Sequence, residues 1–124
     1  MKNKKLTIGI SLRVVESTNY NEKRDALSQD WSIFFEKLGI NPLLIPNTMK
    51  NVLSFLEDMQ VQGLILSGGD NIGDSHDRDE TEQKIINYSL EKKIPLIGIC
   101  RGMQVINAFF GGTIETLENS KHVG

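Results

Sequence analysis

The chain is poor in the features that tie a protein to a special environment. Its 124 residues include one cysteine, so no internal disulfide can form and a reducing, cytoplasmic setting is expected. No excess of charge of one sign is present. The net charge of -2 gives no reason to expect nucleic acid or an anionic membrane as a partner. Long apolar runs are missing too: after the basic start Met1 to Lys5, the stretch Leu6 to Leu12 is broken by Thr7, Gly9 and Ser11. It is too short and too polar for a signal-peptide core, and nothing elsewhere is long enough to cross a bilayer. Repeats and low-complexity tracts are absent. What remains, 39% apolar and 24% charged residues, is ordinary globular composition, and the length allows one domain, 1–124, with a modest core.

Taken in order, strand-like and helix-like segments alternate. Leu6 to Ser11 reads as a strand and Arg13 to Asn21 as a polar loop. Leu27, Trp31, Phe34, Phe35 and Leu38, spaced by three and four, predict a core-facing helix from about Glu22 to Leu38 with Gly39 as its stop. Pro42 to Pro46 suits a second strand. A helix capped by Asn47 or Thr48 then runs from Met49 to Met59, with Val52, Phe55, Leu56 and Met59 inward. Gly63 to Ser67 lacks alternation, as a strand buried on both faces does. Asp79 with Glu82 three residues on has capping-box spacing, and that role accounts for both acids. This third helix reaches about Lys92 and buries Ile85, Ile86, Tyr88 or Ser89, and Leu90. Ile94 to Ile99 is a fourth strand, Arg101 to Phe110 a helix, and Thr113 to Leu117 a short fifth strand. The alternation predicts an α/β, flavodoxin-like parallel sheet with helices on both faces.

Chemistry concentrates at Gly98-Ile99-Cys100-Arg101-Gly102. An apolar strand leads into the only cysteine, a helix follows at once, and small residues flank the turn. A nucleophile on such a turn sits in strained backbone and needs small neighbours, at the sheet edge where open α/β folds place ligands. The N-terminus of the following helix favours thiolate over thiol, and the N–H of Arg101 would face a developing oxyanion. A buried structural cysteine is the competing reading. The Ser67-Gly68-Gly69-Asp70-Asn71 turn also lies at the carboxyl end of a strand. No Gly-Lys-Ser/Thr follows it, which excludes a P-loop, and it reads as the second half of an oxyanion hole. Asp74, His76 and Asp77 match neither a calcium loop nor a zinc site, so neither a metal nor another cofactor is expected.

Ser67-Gly68-Gly69, then Arg78-Asp79-x-x-Glu82, then Pro-Leu-Ile-Gly-Ile-Cys-Arg-Gly-Met-Gln, then Gly111-Gly112-Thr113 and His122, resemble the class I glutamine amidotransferase-like superfamily. Within it the match is to the γ-glutamyl-γ-aminobutyrate hydrolase family, peptidase C26, over nearly the whole chain. The resemblance implies hydrolysis of a γ-glutamyl amide through a cysteine thioester. Cys100 would be the nucleophile and the amides of Gly69 and Arg101 the oxyanion hole. Gly68, Gln104 and His122 would bind substrate, His122 having a solvated tail residue as its equal alternative. Arg78, Asp79 and Glu82 would be structural.

Two departures qualify this. The Gly69–Arg78 loop is shorter than in typical members and resembles a subgroup linked to capsule or lipopolysaccharide building, which points to a γ-glutamyl nucleotide-amidate as substrate. A histidine base with its orienting glutamate, which the family supplies well past the elbow, has no match, since only His76 and His122 exist. The chain is therefore expected to be the N-terminal part of a longer protein, with an exposed apolar edge and poor stability or self-association in isolation. A glutaminase passing ammonia to a synthase partner, a homodimer, and a non-catalytic binding module all stay open. A flavodoxin-like nucleotide binder is a distant third, because it leaves the Cys100 turn without a purpose.

Overall fold

A computed structural model describes residues 4–112. Strands β1 (Thr7–Ser11), β4 (Asn41–Ile45), β5 (Gly63–Leu66) and β6 (Leu96–Gly98) form a parallel sheet in the order β4-β1-β5-β6. A separate antiparallel hairpin pairs β2 (Arg13–Glu16) with β3 (Lys23–Ala26). The helices are α1 (Gln29–Leu38), α2 (Val52–Asp58), α3 (His76–Lys92) and α4 (Arg101–Phe109). The expected α/β class with a flavodoxin-like parallel sheet is what the chain adopts. One core cluster joins Ile45, Leu64 and Leu66 of the sheet to Val52 and Leu56 of α2, Ile85 and Ile86 of α3 and Val105 of α4. Ile10 and Phe35 are buried outside that cluster. Because neighbouring strand residues point to opposite sides, they mark the other face of the sheet.

Several expected boundaries move. The supposed loop and first helical turn after β1 are the β2–β3 hairpin, in which Glu16 faces Lys23. Its strands are too short and too charged to show a two-residue period, but opposite charges directly across a pair favour it. Helix α1 then starts only at Ser28, whose side chain accepts the N–H of Asp30. On α1, Phe35 is buried and Trp31 half-buried, whereas Phe34 and Leu38 are exposed, against the expectation of a fully core-facing stripe. Asn51, not Asn47 or Thr48, caps α2, and Met59 is exposed. Asn47 is instead buried, donating to Leu12 O and Asp25. Ser75 takes the cap of α3 by accepting the N–H of Arg78. This corrects Asp79 as cap and frees the Asp79–Glu82 pair for other partners. Leu90 is exposed rather than buried. Among the described residues β6 is an edge strand, and Ile97, Ile99 and Met103 lie exposed beside it. The expected fifth strand and His122 lie outside the described residues.

Candidate active site

The turn from β6 into α4 forces Cys100 to φ 54°, ψ -111°. A residue with a side chain held in this sparsely populated region stores about 1–3 kcal/mol. The flanking glycines follow from packing. A Cβ on Gly98 would lie 2.5 Å from the carbonyl carbon of Gly102, and one on Gly102 would lie 2.2 Å from Leu66 O. Only a bare backbone lets the first turn of α4 approach β5 and β6 this closely. The N–H of Gly102 is spent on Ile99 O. The N–H of Arg101, first in the helix, has no acceptor among the described residues. Cys100 itself is exposed.

The Gly68–Gly69 turn comes against this elbow: a Cβ on Gly68 would sit 3.4 Å from Cys100 Cβ and 4.0 Å from Sγ. Its conformation is set from below by Arg78, which is fully buried on α3. Arg78 donates to three successive carbonyls, Ser67 O at 2.8 Å, Gly68 O at 3.1 Å and Gly69 O at 2.5 Å, and also to Asp70 Oδ2 at 3.1 Å. In a trans peptide the N–H points opposite to the C=O. Drawing these carbonyls toward the guanidinium therefore turns the amides of Gly68, Gly69 and Asp70 the other way. None of the three donates to a partner among the described residues.

Arg78 belongs to a buried ionic cluster. Glu82 Oε2 accepts Arg78 Nε at 3.4 Å and the Ser11 hydroxyl at 2.7 Å, while Oε1 accepts from Arg101 Nη1. Arg101 Nη2 reaches Asp79 Oδ1. Ser11 also accepts the N–H of Ser67, and the Ser67 hydroxyl donates to Ser11 O, stitching the ends of β1 and β5 together. One carboxylate, Glu82, thus joins the arginine beneath the glycine turn to the arginine that follows the cysteine. Such charges are tolerated in the interior only when paired and hydrogen-bonded.

Cys100, Gly68 and Gly69 line one cleft of about 510 Å³, together with Arg13, Leu27 and Trp31. The structure thus places the first three, all expected site residues, in one cleft, and sequence reasoning assigned only the backbone of Arg101. It missed the side chains of Ser11, Arg13, Asp70 and Arg101. Gln104 stands exposed one turn further along α4 and does not line the cleft. His122 lies outside the described residues. His76 is exposed and paired with Glu80 at 3.3 Å, outside the cleft. Asp74 accepts the N–H of Asn71. Among the described residues no cluster of three or more His, Cys, Asp or Glu side chains could hold a metal, and no helix is long and apolar enough to cross a membrane.

The family model for peptidase C26 matches residues 7–122. The chain is 37% identical to a γ-glutamyl-CDP-amidate hydrolase of Campylobacter jejuni, covering 94% of this chain and 60% of that protein. It is 33% identical to a glutamine-hydrolysing GMP synthase component of Pyrococcus furiosus, over 68% of this chain and 42% of the relative. A GMP synthase of Plasmodium falciparum is 36% identical over 56% of this chain and 13% of its own length. The chain thus spans 60% or less of the length of each of these relatives.

Proposed function

The chain belongs to the peptidase C26 family, and from that premise we propose that it supplies the nucleophile and oxyanion hole of a cysteine-dependent γ-glutamyl amide hydrolase. The observation that carries this reading is the strained Cys100 elbow set against a glycine turn whose amides are directed outward by Arg78. Cys100 Sγ attacks the γ-carbonyl carbon, and the oxygen gains charge between the amides of Gly69 and Arg101. The C–N bond breaks as the nitrogen takes the proton given up by the thiol, the amine leaves, and a γ-glutamyl thioester remains. Water resolves it to glutamate and free thiol. The scheme requires a proton carrier, a role given neither to His76, which lies outside the cleft, nor to His122. Gly68 lies beside the thiol, and we assign Gln104 and His122 to the glutamyl half of the substrate. The resemblance to the hydrolase of C. jejuni supports a γ-glutamyl nucleotide-amidate as the substrate, and the lone thiol supports a cytoplasmic location.

Incubation with a γ-glutamyl p-nitroanilide should release nitroaniline and add one γ-glutamyl unit to Cys100 by mass spectrometry. Cys100→Ala should show neither. Release without an adduct in a rapid quench, or release that survives Cys100→Ala, would sink the reading. The likeness to glutamine-hydrolysing GMP synthases favours a second reading, in which ammonia passes to a synthase partner. Glutamine turnover that appears only on adding a synthase protein would select it.

A further inference from the structure

The cleft that holds Cys100 also carries a cation that the chemistry above does not use. Arg13 opens the β2–β3 hairpin, and its guanidinium lies over the glycine turn, with Nε 3.1 Å from the position a Cβ on Gly69 would take. The hairpin is held to that turn by a bond from Val14 N–H to Asp70 Oδ2 at 3.0 Å. Asp70 is already occupied: the same oxygen takes Arg78 at 3.1 Å, and Arg13 reaches only Oδ1, at 3.7 Å, beyond hydrogen-bond distance. The Arg13 side chain is 49% exposed, and its donors make no hydrogen bond among the described residues. A planar fork of this kind suits a carboxylate or phosphate. Val15, Leu27 and Trp31 beside it give an apolar wall for the group that carries the anion.

We propose that Arg13 is a specificity residue that receives an anionic group, carboxylate or phosphate, on the amine half of the substrate. The inference rests on the hydrolase reading for which half lies where. Gln104, assigned to the glutamyl half, does not line this cleft, so the departing amine is the part that faces Arg13.

The test compares two alkylating agents at Cys100, neutral iodoacetamide and anionic iodoacetate, in the wild-type chain and in Arg13→Gln. The iodoacetate-to-iodoacetamide rate ratio should fall about 1.5- to fivefold in the variant, the range for a partly exposed charge pair. The wild-type ratio should also fall with added salt. A ratio that ignores both the substitution and salt overturns the proposal. The second arm uses γ-glutamyl p-nitroanilide and its ring-carboxylated analogue, whose extra charge belongs to the amine half alone. Arg13→Gln should slow nitroaniline release from the carboxylated compound selectively. Equal slowing of both would put Arg13 on the α-carboxylate of the glutamyl half and refute the placement. If neither anilide acylates Cys100, the hydrolase reading fails, while the alkylation ratio still decides whether Arg13 receives an anion.

Discussion

Replacing Arg78 by lysine keeps a positive charge in the interior but removes the planar fork. The guanidinium serves three turn carbonyls, the Ser67 hydroxyl, Asp70 and Glu82 at once. A lysine ammonium, with few donors at a single point, must abandon several of them. Each buried carbonyl left without a donor costs about 1–3 kcal/mol, so the variant should lose about 2–4 kcal/mol in urea unfolding followed by the single tryptophan, Trp31. The functional effect should be larger and selective. Peptide planes no longer pinned at their oxygens let the Gly69 amide drift from the oxyanion position, and losing one such donor slows acyl transfer by about 10²–10³-fold. Alkylation by iodoacetamide displaces iodide at carbon and develops no oxyanion. Arg78→Lys should therefore slow γ-glutamyl transfer to Cys100 about a hundredfold while iodoacetamide alkylation in native buffer changes far less. Parallel losses in both reactions, or acyl transfer at the wild-type rate, would refute the claim that Arg78 aims the amides.

Glu82→Gln leaves two buried guanidiniums short of a carboxylate and should cost about 3–5 kcal/mol, well beyond the 0.5–1.5 kcal/mol typical of Ile→Val at neighbouring Ile86; urea midpoints of the two variants give the comparison. Gly102→Ala drives a methyl into Leu66 O and should destabilise by about 1–3 kcal/mol, seen as a lowered Tm. Cys100→Gly should be more stable than Cys100→Ala by about 1 kcal/mol, because only glycine relaxes at this φ and ψ and part of the 1–3 kcal/mol strain is offset by glycine's entropy; equal denaturation curves would show that the turn is unstrained. Burial, followed by the nearby Glu57 charge, raises the Tyr88 phenol above 10.0. The folded state holds that proton more tightly, so this stabilisation is complete below pH about 10 and is lost as pH rises toward the folded value. Tyr88→Phe should flatten that part of the stability profile.

The elbow was legible because its cause is local. Glycines two residues either side of a cysteine, between an apolar strand and a helix, are what close backbone approach at Gly98 and Gly102 demands. The ionic cluster was not legible, because Ser11, Ser67, Arg78, Glu82 and Arg101 are scattered along the chain and meet only through the sheet order. Arg78 and Glu82, four residues apart on one helix face, gave a signal, but Asp79 with Glu82 also imitates a capping box. The serine that takes the cap, Ser75, stands further upstream. The hairpin was hidden for another reason. The apolar stripe of α1 begins at Leu27, and nothing in Lys23 to Ala26 marks a break before Ser28.

A cluster this costly to desolvate is not explained by stability, since well-packed apolar side chains often serve as well as a buried ion pair. Apolar packing has no means of orienting a peptide plane. A guanidinium held by carboxylates can do so, because its donors lie in one plane at fixed angles and pull neighbouring carbonyls to one side. Here the same carboxylate that orients Arg78 also holds Arg101, the residue whose amide starts the helix after the thiol. The two amides assigned to the oxyanion hole come from loops after different strands, β5 and β6, and would otherwise be free to move independently. Tying both loops to Glu82 turns their separation into a property of α3, the longest helix described. On the proposed hydrolase reading, that coupling would make Glu82 a positioning residue that need never touch the substrate.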